Sequence, residues 1–376
     1  MKLGIIGLPQ SGKTTIFNAL THGDRPVGQM SGGGRFEVQT AVVNVPDPRV
    51  DTLSALFKPR KTIYAQVTYA DIAGVEGAAD KPAGGGGGFS GPLLNQLATM
   101  DGYVQVVRAF DNPLVPHPHG TVDAGRDLAA VNGELLLNDM LAVERKLERL
   151  TEDLKKGIVK DKGLHAQEQA LFARLLEALQ AETPLRELDL TPADEKALAS
   201  YQLLTRKPML VVFNVGDDKP DPAATGPQFG LGAPLATGPR AGAVALQGRL
   251  EMEIAQLPPE EAEVFLAEYG ISEPSLNRII RLSYDLLGLE SFFTVGEDEV
   301  RAWTVRRGAT APEAAGEIHT DLQKGFIRAE VAGYADLVAA GNYVELKSKG
   351  KLRLEGKEYI VQDGDILNIR FSPPGK

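Results

Sequence analysis

The sequence predicts an α/β protein with a doubly wound sheet domain, an α-helical hairpin inserted into that domain, and a separate C-terminal domain. Short apolar runs alternate with helical stretches over the first two hundred residues. A long helical stretch interrupts this alternation, and the mixture of strands and helices changes again past residue 290. We therefore expect a sheet domain formed by 1–127 and 200–289, a helical insertion at 128–199, and a third domain at 290–376.

The sheet is predicted from five short apolar runs that are rich in β-branched residues. Runs of this kind are typical of parallel strands buried on both faces. Parallel strands joined by helices form a doubly wound sheet, which binds its ligands at the carboxyl ends of the strands. The five runs lie at 3–8, 40–46, 66–74, 103–110 and 208–214.

The helical hairpin is predicted from a stretch at 128–182 that has no strand signal. Its apolar residues recur at alternating spacings of four and three, which is the seam of two packed helices. The segment KKGIVKDKG at 155–163 breaks the period before it resumes. The alternative is that this stripe only covers the sheet, but the charged flanks favour a projecting arm. The predicted seam is Leu136, Met140, Val143, Leu147, Leu150 and Leu154.

Two remaining regions complete the outline. The segment 216–242 is rich in glycine and proline and is predicted to be a loop. Past residue 290 the sequence predicts short strands, one helix and further strands, which favours a small mixed domain.

The segment GLPQSGKTT at 7–15 follows a predicted strand and runs into a helical stretch, which is the context of a phosphate-binding loop. Gly7 and Gly12 let backbone N–H groups approach phosphate oxygens. Lys13 reaches the outer phosphates, where it has a predicted catalytic role, and Thr14 offers a hydroxyl to Mg²⁺. The nucleotide-binding residues predicted here are Gly7, Pro9, Gln10, Ser11, Gly12, Lys13, Thr14 and Thr15.

Two further strand ends carry candidate ligands. In DIAG at 71–74, Asp71 can hold Mg²⁺, usually through a water, while the Gly74 amide can meet a terminal phosphate. In VVFNVGD, Asn214 and Asp217 lie where nucleotide switches carry an Asn-Lys-x-Asp base reader, with Val215 in the lysine position. The Asp217 carboxylate would accept hydrogen bonds from guanine, whereas adenine offers no such pair of donors. The alternative is a simple turn after a strand.

Composition restricts the partners and the compartment. The chain has 376 residues, no cysteine and a net charge of −10, so its overall field should repel nucleic acid. The basic cluster of Arg301, Arg306 and Arg307 around Trp303, and the segment 346–357, are the candidate RNA-facing surface; the alternative is a solvated charged face. There is no leader-like N-terminus and no long apolar run, so we expect a cytoplasmic protein without a membrane or DNA partner.

Several segments together resemble the YchF family, the Obg-like ATPases. They are GLPQSGKTT, NVPDPRV at 44–50, DIAG, and the segments 271–289 and 300–331. The resemblance covers nearly the whole chain, and it implies a P-loop domain, a coiled-coil insertion and a C-terminal TGS domain of the β-grasp type. It also implies ATP hydrolysis, often in preference to GTP hydrolysis, and association with ribosomes.

The sequence departs from the family pattern at several positions. Gln10 stands where the family has an asparagine linked to potassium, which leaves potassium dependence open. Arg35 stands in the threonine position of the first switch, although Thr40 lies close by. Asp217 replaces the usual glutamate with the acid that reads guanine, which leaves the choice between ATP and GTP open. Val75 follows DIAG and cannot orient water. The resemblance places a catalytic histidine at His117, and a surface histidine is the alternative.

These features predict an Mg²⁺-dependent nucleoside triphosphatase that uses ATP or GTP and acts as a switch on the ribosome. Arg35 and Val75 support one alternative, a non-catalytic interaction protein with a sensory nucleotide site. A GTP-specific translation GTPase and a small-molecule kinase are further alternatives, although the sequence offers no acceptor pocket for a kinase. The oligomeric state is not predicted.

Overall fold

A computed structural model of the chain describes residues 1–23, 38–72, 91–216, 240–268 and 273–372. The chain divides into two compact units. The first contains Met1–Ala41 and Thr68–Ile279, and the second contains Val42–Val67 and Ile280–Lys376. Within the described ranges, no helix is both long and apolar enough to cross a membrane.

The first unit is built on a six-stranded sheet, which confirms the predicted doubly wound α/β class. The strand order is β2-β4-β1-β5-β6-β7, and each neighbouring pair from β4 to β7 is parallel. All five predicted strands are present, and the carboxyl ends of β1, β4 and β6 carry the candidate site residues. The strands are β1 Lys2–Ile6, β2 Val38–Asn44, β4 Gln66–Ile72, β5 Gly102–Ala109, β6 Met209–Val215 and β7 Ala241–Leu246.

Two details of this sheet differ from the prediction. β5 and β6 are buried along their whole length, but β2 is the edge strand and alternates between half-buried and exposed residues, with Val42 60% exposed. An edge strand has a neighbour on one side only, so burial on both faces is not required there. β7 begins at the end of the segment predicted to be a loop, because its short run of small apolar residues is a weak strand signal.

Helices cover the sheet and form the arm. Eight α-helices of the described chain begin in the first unit, and a short 3₁₀ helix at Leu185–Glu187 follows the arm. The α-helices are α1 Lys13–Thr21, α3 Gly91–Ala98, α4 Ala124–Lys155, α5 Lys162–Gln180, α6 Pro192–Ala197, α7 Gly248–Gln256, α8 Pro259–Glu268 and α9 Ser275–Leu286.

The helical hairpin forms as predicted, with α4 and α5 joined by a short connection. The first half of α4 covers the sheet through Leu128, Val131 and Leu135. Farther along, the predicted seam packs against α5 and the segment that follows it, with Val143 and Leu150 buried. Leu154 is the exception, since it is 47% exposed at the end of the arm, where α5 begins too late to cover it.

The second unit contains a six-stranded sheet of order β11-β10-β12-β8-β9-β3, and it provides the C-terminal β-grasp domain. Its core lies between this sheet and a helix that begins at Ala311. The strands are β3 Lys61–Ile63, β8 Leu289–Val295, β9 Glu299–Arg306, β10 Phe326–Gly333, β11 Arg353–Glu355 and β12 Asp365–Phe371. The helices are α2 Pro48–Phe57, α10 Ala311–Ile318, α11 Thr320–Lys324, α12 Tyr334–Ala340 and α13 Tyr343–Ser348.

The second unit differs from the predicted 290–376 domain in two respects. Between residue 290 and the end of the described chain at 372, four helices are present rather than one, because the short helices α11 to α13 have too few turns for a clear period. The unit also includes 42–67, since β3 pairs in parallel with β9. Arg49 donates to Asp363, at 2.6 Å from Nη1 to Oδ2, and so ties this early segment to the C-terminal strands. The division into three domains stays a prediction.

Candidate nucleotide-binding site

The loop between β1 and α1 has the backbone of a phosphate-binding loop. Gly7 and Gly12 have φ of 148° and 99°, which side chains disfavour. A Cβ on Gly7 would lie 2.3 Å from the Val106 carbonyl oxygen, and one on Gly12 would lie 2.1 Å from Asn214 Nδ2. Both positions therefore require glycine, as expected for a backbone that must approach a ligand closely.

The rest of the loop offers donors around the start of α1. Gly12 is the N-cap of α1 and has no side chain to cap the helix, so its first N–H groups are directed at the loop. The Ser11 hydroxyl is buried and has no hydrogen-bond partner among the described residues. A phosphate oxygen fits both observations, because it accepts from backbone amides and from a hydroxyl. Gln10 is exposed with φ of 60°, and Pro9 and Thr15 are half-buried.

Lys13 lies across the mouth of its own loop. Its ammonium group donates to the carbonyl oxygens of Gly7, at 3.0 Å, and Leu8, at 2.8 Å. The side chain is 8% exposed, so these carbonyls replace most of its water. Two of the three N–H donors of this ammonium group are thus directed at carbonyls of the loop itself.

Thr14 and Asp71 form the candidate metal pair. Ile5 pairs with Asp71 in the register of β1 and β4, which places Asp71 beside the start of the loop. The Thr14 hydroxyl donates to Asp71 Oδ2 at 3.1 Å. A hydroxyl and a carboxylate are hard oxygen ligands that suit Mg²⁺, which usually completes its shell with water and phosphate oxygens. The described residues contain no cluster of three acidic or histidine ligands, so they offer no all-protein cage. The pair therefore fits Mg²⁺ held jointly with a phosphate.

Asn214 connects the phosphate-binding loop to a second turn. Its Nδ2 donates to the Ser11 carbonyl oxygen at 3.0 Å, and its Oδ1 accepts from the Gly248 N–H at 3.0 Å. Gly248 opens α7, and a Cβ there would lie 2.7 Å from Asn214 Oδ1. Gly248 was not predicted as a site residue, because its only signal in the sequence is a glycine two positions after the apolar run that ends at Leu246. Asn214 therefore positions the loop, whatever contact it makes with a base.

Val215 is 5% exposed and packs in the core beneath the sheet. The Val215 side chain therefore cannot pack over a nucleotide base, as the aliphatic part of a lysine at this position would. Asp217 and Gly74 lie outside the described residues, as do Arg35 and Val75.

His117 is buried rather than exposed. Its Nε2 lies 2.7 Å from Asp127 Oδ2, and its Nδ1 accepts from the His119 N–H at 3.1 Å. Both side chains of the His117–Asp127 pair are 3% exposed. The alternative of a surface histidine is therefore wrong. Both ring nitrogens of His117 are engaged in this conformation, so neither is available for the predicted catalytic role.

Comparison with known proteins identifies the family. The chain is 40% identical to "Ribosome-binding ATPase YchF" of Bacillus subtilis over 372 residues, which is 98% of this chain and 98% of that protein. It is also 40% identical to the protein of that name from Haemophilus influenzae, with 99% of each chain covered. The chain belongs to the YchF family.

A solved structure and a family model support this assignment of the YchF fold. The structure described as the Schizosaccharomyces pombe YchF GTPase matches with a TM-score of 0.82 and 31% identity, over 98% of this chain and 97% of that one. The model YchF-GTPase_C, described as "Protein of unknown function (DUF933)", matches residues 289–372. That range runs from β8 to the end of β12, which is the C-terminal part of the second unit.

The predicted basic surface lies within this YchF C-terminal region. The guanidinium of Arg301 stacks 3.8 Å from the ring centroid of Trp303. Arg307 is paired with Glu290 at 2.9 Å, which offsets part of its charge, while Arg306 is exposed. A cation on an aromatic ring can stack on a base, so this surface stays a candidate for RNA.

Proposed function

We propose that this YchF protein is a cytoplasmic, ribosome-associated nucleoside triphosphatase that requires Mg²⁺ and prefers ATP, with GTP as a possible second substrate. The observation that carries the proposal is the pairing of the phosphate-binding loop with the Thr14–Asp71 contact. The names of the relatives, "Ribosome-binding ATPase YchF", support the choice of nucleotide and partner.

In this proposal, water attacks the γ-phosphate in line with the departing diphosphate. Lys13 turns from the carbonyls of Gly7 and Leu8 to the phosphate oxygens and stabilises the negative charge that grows in the transition state. Thr14 and Asp71 would hold Mg²⁺, which would neutralise charge on the phosphates. Asn214 keeps the loop in register by holding the Ser11 carbonyl.

His117 is the proposed group that orients the attacking water. The apolar Val75 cannot take this part, and a histidine can accept a proton from water or position it. The buried contact with Asp127 means that His117 must leave its present position to act.

The proposal is tested by multiple-turnover phosphate release with ATP and Mg²⁺. Release should vanish in Lys13→Ala and persist in Lys357→Ala, which removes an exposed lysine of the C-terminal region. Tight nucleotide binding without release above buffer would instead support the alternative, a non-catalytic protein that senses nucleotide. Thr14→Ala and Asp71→Asn should each shift the Mg²⁺ dependence to higher concentration.

The preference for adenine or guanine nucleotides is tested separately by calorimetric titration with ATP and GTP analogues in Mg²⁺. A GTP affinity at least about tenfold tighter, or about 1.4 kcal/mol, would favour a GTP-specific translation GTPase. The partner is tested by cosedimentation with ribosomes. Replacing Arg301 and Arg306 should weaken cosedimentation if the second unit faces RNA, and truncating the arm should weaken it if the helical hairpin is the contact.

A further inference from the structure

The loop that carries His117 is held at both ends by polar contacts. Arg108, near the end of β5, is 2% exposed. Its Nε donates to the Phe110 carbonyl oxygen at 3.1 Å and its Nη2 to the Val115 carbonyl oxygen at 2.7 Å. The same guanidinium lies 4.6 Å from the centroid of the Phe110 ring. Arg108 therefore fixes the first half of the loop to the end of β5. His117 begins the second half, which is fixed to α4 instead.

The hydrogen bonds of His117 define its tautomer. Because Nδ1 accepts from the His119 N–H, the neutral ring carries its proton on Nε2 and donates it to Asp127 Oδ2. Nδ1 thus already accepts one hydrogen bond, and Nε2 already donates one. A ring in this state has neither a lone pair nor a proton left for a water molecule.

Asp127 is itself oriented by a charged neighbour in the first turn of α4. Its Oδ1 accepts from Arg126 Nε at 2.9 Å and Nη2 at 2.7 Å, so both carboxylate oxygens are occupied. Arg126 Nη2 also donates to the Thr121 carbonyl oxygen at 2.8 Å, which anchors the end of the loop. An ionised acceptor makes the stronger kind of hydrogen bond, and here it is nearly free of water.

We propose that Asp127 is a positioning residue that holds His117 in a resting conformation and thereby limits basal hydrolysis. This inference rests on the proposed catalytic role of His117. Hydrolysis then requires the Asp127 contact to break before His117 can meet water. Since Asp127 lies on the helix that continues into the hairpin, a partner that moves the first turn of α4 also moves the group that restrains His117.

The test is Asp127→Asn in the full-length protein. The amide keeps the shape of the carboxylate but loses the charge that strengthens both contacts. We expect basal kcat to rise by about three- to tenfold with KM for ATP unchanged, as a weakened charge-assisted contact allows. The matched control is Asp123→Asn, which makes the same change at the N-cap of the same helix. Asn also caps helices, and Asp123 makes its capping bond to the Arg126 N–H rather than to His117.

Two measurements separate positioning from a general loss of structure. The chain has five histidines, so ¹⁵N spectra of the labelled rings should resolve His117. Its Nε2 signal should shift in Asp127→Asn and stay in place in Asp123→Asn. Hydrogen exchange of residues 110–120 should also rise only in Asp127→Asn.

The double variant His117→Ala/Asp127→Asn decides the dependence on His117. Its turnover should fall to the level of His117→Ala, which would support the inference. A kcat that is unchanged in Asp127→Asn overturns the restraint. A kcat that falls while loop exchange rises also overturns it, because Asp127 would then hold His117 in its productive orientation. Wild-type turnover in His117→Ala refutes the catalytic role itself, and a rise that survives in the double variant refutes the inference as well.

Discussion

Asn214 donates a hydrogen bond to the carbonyl oxygen of Ser11, across 203 positions of sequence. The other end of the same amide accepts from the Gly248 N–H. A planar amide with one donor end and one acceptor end is well suited to this bridge, because it satisfies a carbonyl and an N–H at once. The phosphate-binding loop is thus braced from β6 and α7 by protein groups alone.

We predict that Asn214→Ala destabilises the first unit and weakens nucleotide binding. The side chain is 4% exposed, so the substitution leaves a buried carbonyl and a buried N–H without partners. The expected cost is about 2–4 kcal/mol in the free energy of unfolding. Urea denaturation measures the stability, and calorimetry with an ATP analogue measures the affinity. Asn368→Ala is the control, since that exposed amide pairs with Glu330 at the surface and its loss should change stability by about 0.5 kcal/mol or less. Equal effects of the two substitutions would contradict the bridge.

Gly12→Ala should nearly abolish phosphate release while the protein still folds. The new Cβ would lie 2.1 Å from Asn214 Nδ2, so the amide or the loop must move by more than an ångström. A displacement of that size at a reacting group costs about a hundredfold in rate. Gly133→Ala is the matched change, because Gly133 lies in α4 with open space around a Cβ. That variant should keep wild-type turnover and gain about 0.5–1 kcal/mol of stability. Unaltered turnover in Gly12→Ala would argue against the described loop geometry.

Lys207 should make the stability of the first unit rise between pH 8 and pH 10. Burial lowers the pKa of Lys207 from 10.5 to about 8, although Asp101 and Asp139 partly oppose this shift. The unfolded chain therefore binds more protons than the folded chain between these values, and stability increases with pH across that window. The neutral amine still donates to the carbonyls of Leu97 and Ala98 at the end of α3.

The measurement for Lys207 is urea denaturation at several pH values. Lys207→Met should lose the rise in stability that the wild-type protein shows above pH 8. Parallel pH profiles of the two proteins would show that the burial of Lys207 does not affect its ionisation.

We predict that the free energy of unfolding of the second unit decreases at acid pH because Asp363 becomes protonated. Burial alone would raise its pKa, but hydrogen bonds from the Arg49 guanidinium and the Ser291 N–H outweigh burial and lower the pKa below 3.8. A carboxylate with a lowered folded pKa contributes its stability above pH 3.8, and the contribution is lost as pH falls through the folded value. Asp363→Asn should therefore be less stable at neutral pH, by about 1 kcal/mol for this half-exposed pair.

Acid unfolding can be followed through Trp303, the single tryptophan of the chain, which lies in the second unit. The difference between wild type and Asp363→Asn should shrink as the pH falls below 3.8. Asp298→Asn is the control, since Asp298 and Arg60 are more than 80% exposed and their pair should contribute little. A difference that stays constant down to acid pH would contradict the linkage.

The sequence determined the elements whose signal is local. The apolar runs at 3–8 and 103–110 could be recognised as strands, and the spacing of Val143 and Leu150 as a helical seam, because each pattern repeats within a few residues. The phosphate-binding loop could be recognised for the same reason, since its glycines, lysine and hydroxyl follow one another between a strand and a helix.

Only the tertiary structure decided which distant segments meet. Arg49 and Asp363 are 314 positions apart, and no periodicity near either residue indicates that 42–67 joins the second unit. The same holds for the brace between Asn214 and Gly248. It also holds for the burial of His117, a residue of a predicted loop, in a hydrogen bond with Asp127. Local sequence sets the conformation of each segment, but the pairing of segments depends on burial and hydrogen bonding between groups that become neighbours only when the chain folds.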